Sequence, residues 1–119
     1  MTATSPAVSR AGRGAAAVAW ALALVCGGSW AADLAAGKAK AGQCAVCHGP
    51  RGIATLPDAP NLAGQNEIYL AKALRDFKSG ARKNEMMNMM ADGLSEQDID
   101  NLAAYYQSIE IVLKEDMPQ

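Results

Sequence analysis

A small all-α domain is what this sequence predicts, and three observations predict it. Segments 33–47, 66–80 and 94–109 repeat apolar or small residues at helical spacing. No run alternates apolar and polar residues in the manner of a strand. The first 31 residues separate from the rest by composition and leave a chain too short for more than one ordinary domain.

The leading segment explains itself. Residues 1–14 carry Arg10 and Arg13 and no acid, and "AAAVAWALALVC" (15–26) then runs without a charge. "GGSWAAD" follows, with Ser29 and Ala31 in a small-x-small arrangement. These are the basic, apolar and cleavage regions of a secretory signal peptide. The apolar run is too short for a span, which takes ~20 residues. Val25 is bulky where a lipid-attachment site at Cys26 wants a small residue. The expected organisation is therefore 1–31 as a cleaved signal peptide and 32–119 as one exported domain. That places it in the periplasm, with no stable membrane insertion after cleavage.

Between 32 and 119, six lysines and three arginines stand against twelve acids. A mildly acidic chain of that kind is poorly suited to nucleic acid, whose phosphates require a basic surface.

The three helices have readable ends. "DLAAGKAKAGQCAVC" (33–47) is alanine-rich, with Gly37 and Ala41 one turn apart. "NEIYLAKALRDFKSG" (66–80) puts Leu70, Leu74 and Phe77 on one face, with Asn66 as cap and Gly80 as terminator. "LSEQDIDNLAAYYQSI" (94–109) opens on Ser95, with Asp98 three residues on, close to a capping box. Its stripe is Ile99, Leu102, Ala103, Tyr106 and Ile109. Two stretches read as irregular: "GPRGIATLPDAPNLAGQ" (49–65) and "ARKNEMMNMMADG" (81–93). Loops of that length in a small domain generally have work to do.

The chemistry gathers at "CAVCH", residues 44–48. Cys44 and Cys47 are the two cysteines left after signal cleavage, and His48 is the only histidine. Three readings compete. Structural zinc takes four ligands, and this chain has no second Cys or His pair. Thiol–disulfide exchange usually sits where a strand meets a helix, with the reactive thiol at a helix N-terminus. Here no parallel strands are in sight, and Cys44 closes a helical stretch. Cys-x-x-Cys-His is also the attachment signal for a c-type haem, whose vinyl groups take the thiols as thioethers. The adjacent imidazole then becomes the proximal ligand. An export signal agrees with that reading. A large apolar ring would also supply interior to a domain too small to bury much of its own.

A single histidine rules out two histidine ligands from one molecule. A methionine, a neutral soft sulfur that raises the potential of haem iron, is the natural partner. "EMMNMM" (85–90) holds four. Methionine clusters are ordinarily core filler, and composition does not say which of these would bind.

Four stretches carry a resemblance: "CAVCHG", "APNLAGQ" (59–65), "FKSGAR" (77–82) and "MMNMMADGLSEQDIDNLAAYY" (86–106). Over residues 33–109 the chain resembles the class I monohaem cytochromes c, and most of all one half of the bacterial two-haem periplasmic cytochromes c. The resemblance implies a small cytochrome c fold, three main helices wrapped around one covalently attached haem c with long connecting loops. Cys44 and Cys47 would anchor the haem, and His48 would bind its iron. The carbonyl of Pro60, twelve residues after His48, would accept the proton on ring Nδ1 and so raise the basicity of the iron-bound nitrogen. Leu62 would pack on the haem face. The ligand methionine of similar sequences lies seven residues before the apolar residue opening the last helix, here Leu94, and so points to Met87. Met86 is the runner-up, and Met90 would pack against haem. Asn88 would either donate to the ligand sulfur or face solvent. The first and last helices would cross, Gly37 and Ala41 against Leu102 and Tyr105.

The implied function is single-electron transfer in a respiratory chain, without a catalytic group. Its partners would be redox proteins at the membrane surface: an oxidase, a reductase or a dehydrogenase. Two other readings stand beside it: a cytochrome subunit of a periplasmic dehydrogenase complex, and a haem-based sensor with a labile sixth ligand. Leu- and Ile-lined helix faces admit a weak dimer as readily as a half-buried core.

Overall fold

A computed structural model describes residues 31–112, together with Met1, Thr2 and Thr4. The expected signal peptide therefore falls almost wholly outside the described residues. Within them the order is α1 (Leu34–Lys40), a 3-10 turn (Ala41–Gln43), α2 (Ala45–His48), α3 (Glu67–Ser79), α4 (Glu85–Asp92) and α5 (Glu96–Gln107). Among the described residues no strand forms, in keeping with the all-α expectation.

Four of the five α-helices start where a side chain satisfies their first amides, and only α2, which follows Cys44, has no side-chain cap. The Asp33 carboxylate accepts from Ala35 and Ala36 N–H at 2.8 and 3.0 Å. Asn66 accepts from Tyr69 N–H at 3.0 Å. Ser95 and Asp98 complete a reciprocal capping box, both bonds 3.0 Å. Gly80 ends α3 at φ 76°, a left-handed conformation that costs glycine nothing.

Two expectations need correction. The helical stretch 33–47 is not one helix: α1 stops at Lys40, and the chain tightens through the 3-10 turn before α2 begins. Stretch 81–93 is not irregular, because Glu85–Asp92 forms α4. Methionine is a good helix former, and Asn84 caps the start by accepting from Met87 N–H at 2.9 Å. Stretch 49–65 is irregular as expected.

The interior is built on a crossing of α1 over α5. A Cβ added at Gly37 would stand 2.1 Å from the Asn101 carbonyl oxygen and 2.8 Å from Tyr105 Cβ, so only glycine permits the approach. The crossing is also stitched, since Asp33 N–H donates to Asn101 Oδ1 at 2.8 Å. Ile99 and Leu102 of α5 are fully buried, with Leu70 and Ala71 of α3, Leu94, Ala103 and Tyr106 around them. Leu74 and Ile109 pack on the edge of this cluster. Phe77 is half-buried, its ring covered by the Arg82 guanidinium at 4.7 Å. On the outer side Arg75 pairs with Glu96 and Asp100, both at 2.7 Å, and these hold its guanidinium charge. Exposed pairs of this kind contribute ~0.2–1 kcal/mol each.

Candidate cofactor site

Cys44, Cys47 and His48 occupy one helical turn, closed by His48 N–H donating to the Cys44 carbonyl at 3.0 Å. Both thiols are free and half-buried. Burial pushes the Cys44 thiol up, against smaller opposing effects of the Tyr106 hydroxyl and the Lys40 ammonium. Disulfide exchange needs the reverse, a thiol biased toward thiolate. Among the described residues no three His, Cys, Asp or Glu side chains gather as a metal cluster, so a fourth zinc ligand is not at hand.

The His48 ring is buried, and its Nδ1 lies 2.8 Å from the Pro60 carbonyl oxygen. A carbonyl only accepts, so Nδ1 carries the hydrogen and the neutral ring keeps its lone pair on Nε2. The loop that delivers Pro60 is folded back onto the motif by backbone bonds. Thr55 N–H donates to Cys47 O at 3.1 Å, and Leu62 and Ala63 N–H donate to Gly52 O at 2.7 and 3.0 Å. Asn61 Oδ1 accepts from Ala54 N–H at 2.8 Å. Gly49 makes the first bend at φ 78°, where a Cβ would fall 1.8 Å from the Ile53 carbonyl oxygen. Leu62 is partly buried against the core cluster.

The methionines divide by helical phase. Met87 and Met90, three residues apart, are partly buried on the side of α4 that continues into buried Ala91. Met86 and Met89 face outward at 54% and 64% exposure. Asn88 takes neither expected role. Its amide donates to the Phe77 and Arg82 carbonyls at 2.6 and 2.8 Å, and its Oδ1 accepts from Asn84 N–H at 2.9 Å.

A family model described as Cytochrome c matches residues 34–110. The chain belongs to the cytochrome c family. It is 45% identical over 83 residues to cytochrome c-554(548) of Halomonas halodenitrificans, across 67% of this chain and all of that protein. A thiosulfate dehydrogenase electron acceptor of Thiomonas intermedia is 44% identical over 84 residues, 67% of this chain and 38% of that one. The crystal structure of reduced recombinant cytochrome c4 from Pseudomonas stutzeri superposes with a TM-score of 0.63 at 42% identity. That match takes in 67% of this chain and 47% of that one, so the chain spans less than half of its length.

As a member of this family the cytochrome is an electron carrier with redox partners, and it carries one haem c attached through Cys44 and Cys47. Its own residues fit that group. Among the described residues only Ile99 and Leu102 are large and fully buried, a thin interior for a domain of this size. Meanwhile Val46 within the motif is 77% exposed, and Ile53 and Leu56 of the loop after it are exposed as well. The expected fold is thus observed, with α1, α3 and α5 as its main helices.

Sequence reasoning missed three features. Tyr106 closes one flank of Cys44, its buried hydroxyl without a partner in hydrogen-bonding geometry among the described residues, and burial pushes its phenol up. Lys78 donates its ammonium to the Asp92 and Leu94 carbonyls at 2.9 and 2.5 Å, at the C-terminal end of α4. The Asn88 network is the third. All join elements distant in sequence and involve backbone partners or a hydroxyl, so no residue spacing announces them.

Proposed function

We propose that this cytochrome is an exported, periplasmic one-electron carrier, not an enzyme, whose iron is held between His48 and Met87. The observation that carries the reading is the 2.8 Å bond from His48 Nδ1 to the Pro60 carbonyl. It fixes the ring, leaves Nε2 as the free donor and makes that nitrogen more basic. Met87 supports the other half, being half-buried where Met86 is turned outward. Haem iron supplies the reversible one-electron change, and the chain supplies anchoring by Cys44 and Cys47, a fixed ring, a soft sulfur that raises the potential, and apolar cover from Leu62. The secretory pattern of residues 1–31 supports export.

The partners on this reading are redox proteins at the membrane surface, met in small and short-lived encounters. The excess of acids in 32–119 favours a basic docking face on the partner. A relative named as a thiosulfate dehydrogenase electron acceptor favours a dehydrogenase as donor. Co-purification with a larger cofactor-bearing chain would turn the free carrier into a dehydrogenase subunit.

The deciding experiment is an optical spectrum of the exported protein, oxidised and reduced, with single variants. Met87→Ala is expected to remove the weak far-red band of methionine-bound ferric iron and to lower the potential by on the order of 0.1 V. Met86→Ala is expected to change neither. A band that survives in Met87→Ala and vanishes in Met86→Ala would transfer the role to Met86. Rapid carbon monoxide uptake by the reduced parent would favour the sensor.

A further inference from the structure

Four methionines on one helix create a problem of choice. A helix turns by about 100° per residue, so a modest rotation or slip of α4 would exchange Met87 for Met86 or Met90. Side-chain chemistry does not separate them. Something must fix the rotation of α4 against the rest of the domain.

We propose that Asn88 is the positioning residue that sets the phase of α4 and thereby selects the methionine offered as sixth ligand; this rests on the methionine-ligated reading above. Its side chain is the one on α4 that makes three hydrogen bonds. Two run to carbonyls of the α3 end and the turn after it, Phe77 O and Arg82 O. One comes from Asn84 N–H, at the cap of α4 itself. The amide orientation is dictated by its partners, because two carbonyls can only accept and a backbone N–H can only donate. The oxygen does for Asn84 what the acidic member of a capping box does for its cap residue.

The site is built for this contact. The Phe77 carbonyl ends the last full turn of α3 and also receives Gly80 N–H at 3.1 Å. Arg82 N–H folds back to Asp76 O at 2.9 Å, which sets the neighbouring carbonyl's direction. Arg82 is held again through its guanidinium over the Phe77 ring. At the other end of α4, Lys78 from the same turn of α3 grips the Asp92 and Leu94 carbonyls. α4 is thus tied at both ends to one turn of α3, but only Asn88 sits next to Met87 in sequence and fixes its azimuth. Lys78 limits sliding, and Asn88 limits rotation.

Asn88→Asp is the sharpest test. It preserves volume and the acceptor for Asn84 N–H, while removing both donors and setting a carboxylate against two carbonyls. Ser95→Ala is the control, removing half of the capping box of α5 without touching any hydrogen-bond partner of Asn88. Holoprotein of each is compared well below its melting temperature. Asn88→Asp is expected to weaken the far-red band and to raise carbon monoxide uptake by the reduced protein roughly tenfold or more, the scale of two lost hydrogen bonds. Ser95→Ala is expected to lower the melting temperature and leave both signals at the parent level. Asn88→Gln, which keeps the donors on a longer arm, is expected to recover part of the band.

An Asn88→Asp protein with parental band and parental uptake would overturn the proposal. So would equal spectral loss in Asn88→Asp and Ser95→Ala at matched stability, since that is the mark of general destabilisation. Should Asn88→Asp fail to accumulate, Asn88→Ala is read the same way and carries the same two outcomes. A far-red band that persists in Met87→Ala instead removes the ligation reading, which separates the two failures.

Discussion

The α1–α5 crossing and the cofactor side of this cytochrome are held together by different means. At the crossing, the α1 backbone meets Asn101 and Tyr105 of α5 across Gly37, and Ile99 and Leu102 of the same helix are fully buried. Around the attachment motif, loop 49–65 is held mainly by hydrogen bonds to main-chain groups, Thr55 to Cys47 and His48 to Pro60, and α4, which carries the proposed Met87 ligand, is tied by Asn88 and Lys78 to carbonyls of other elements. One region is packed by its own side chains. The other is a frame of polar ties around apolar residues left exposed, such as Val46 and Ile53. A small domain can therefore divide its labour: half of it supplies a core, and the other half supplies a rigid rim for a core brought from outside.

The largest effect should come from breaking the packed half. Gly37→Leu would drive a side chain into the Asn101 carbonyl, which has no way to retreat without moving α5. The expected cost exceeds ~3 kcal/mol, read as a lost or strongly lowered thermal transition of the holoprotein. A variant that melts with the parent would mean that the crossing does not carry the fold.

Tyr106 lies on the seam between the two regions, its ring against Gly52 of the loop and its hydroxyl beside Cys44. Among the described residues that buried hydroxyl has no partner in hydrogen-bonding geometry. Tyr106→Phe is accordingly expected to be neutral or to gain up to ~1 kcal/mol in denaturant unfolding. A loss of more than that would show that the sulfur is a real acceptor and that the seam is polar.

The smallest effect sits at the α5 cap. The Ser95 backbone N–H, then the Ser95 hydroxyl and the Lys40 ammonium, hold the Asp98 carboxyl below its usual range. A depressed folded value means a contribution that is present above the unfolded value, ~3.9, and lost as pH falls through the folded one. Asp98→Asn should flatten that part of the acid limb of a stability–pH curve while leaving the limb above about pH 5 unchanged. An unaltered acid limb would remove Asp98 from the account.

What the sequence disclosed follows the same division. Asp98 behind Ser95, Asn66 before Glu67 and Gly80 after Ser79 are local signals, and each was legible because its partner lies within four residues. Gly37 at the helix crossing was reached through the family resemblance, which sets small residues against aromatics there. α4 was misread: richness in Met and Asn suggested a loop, whereas Asn84 is a cap and Asn88 a tie to α3. Those roles depend on carbonyls that α3 presents only once it is folded. Pro60 was reached by family spacing alone, since no property of proline announces which carbonyl a ring will meet.

The bond between the His48 ring and Pro60 bears on speed as well as on strength. Moving an electron is slow when atoms must shift to suit the new charge. Here the imidazole cannot swing, its anchor belongs to a loop that is itself cross-tied, and water has little room to reorient beside a buried ring. On the proposed ligation of the iron by His48, the surroundings would be set before the charge arrives, and the two oxidation states would share nearly one geometry.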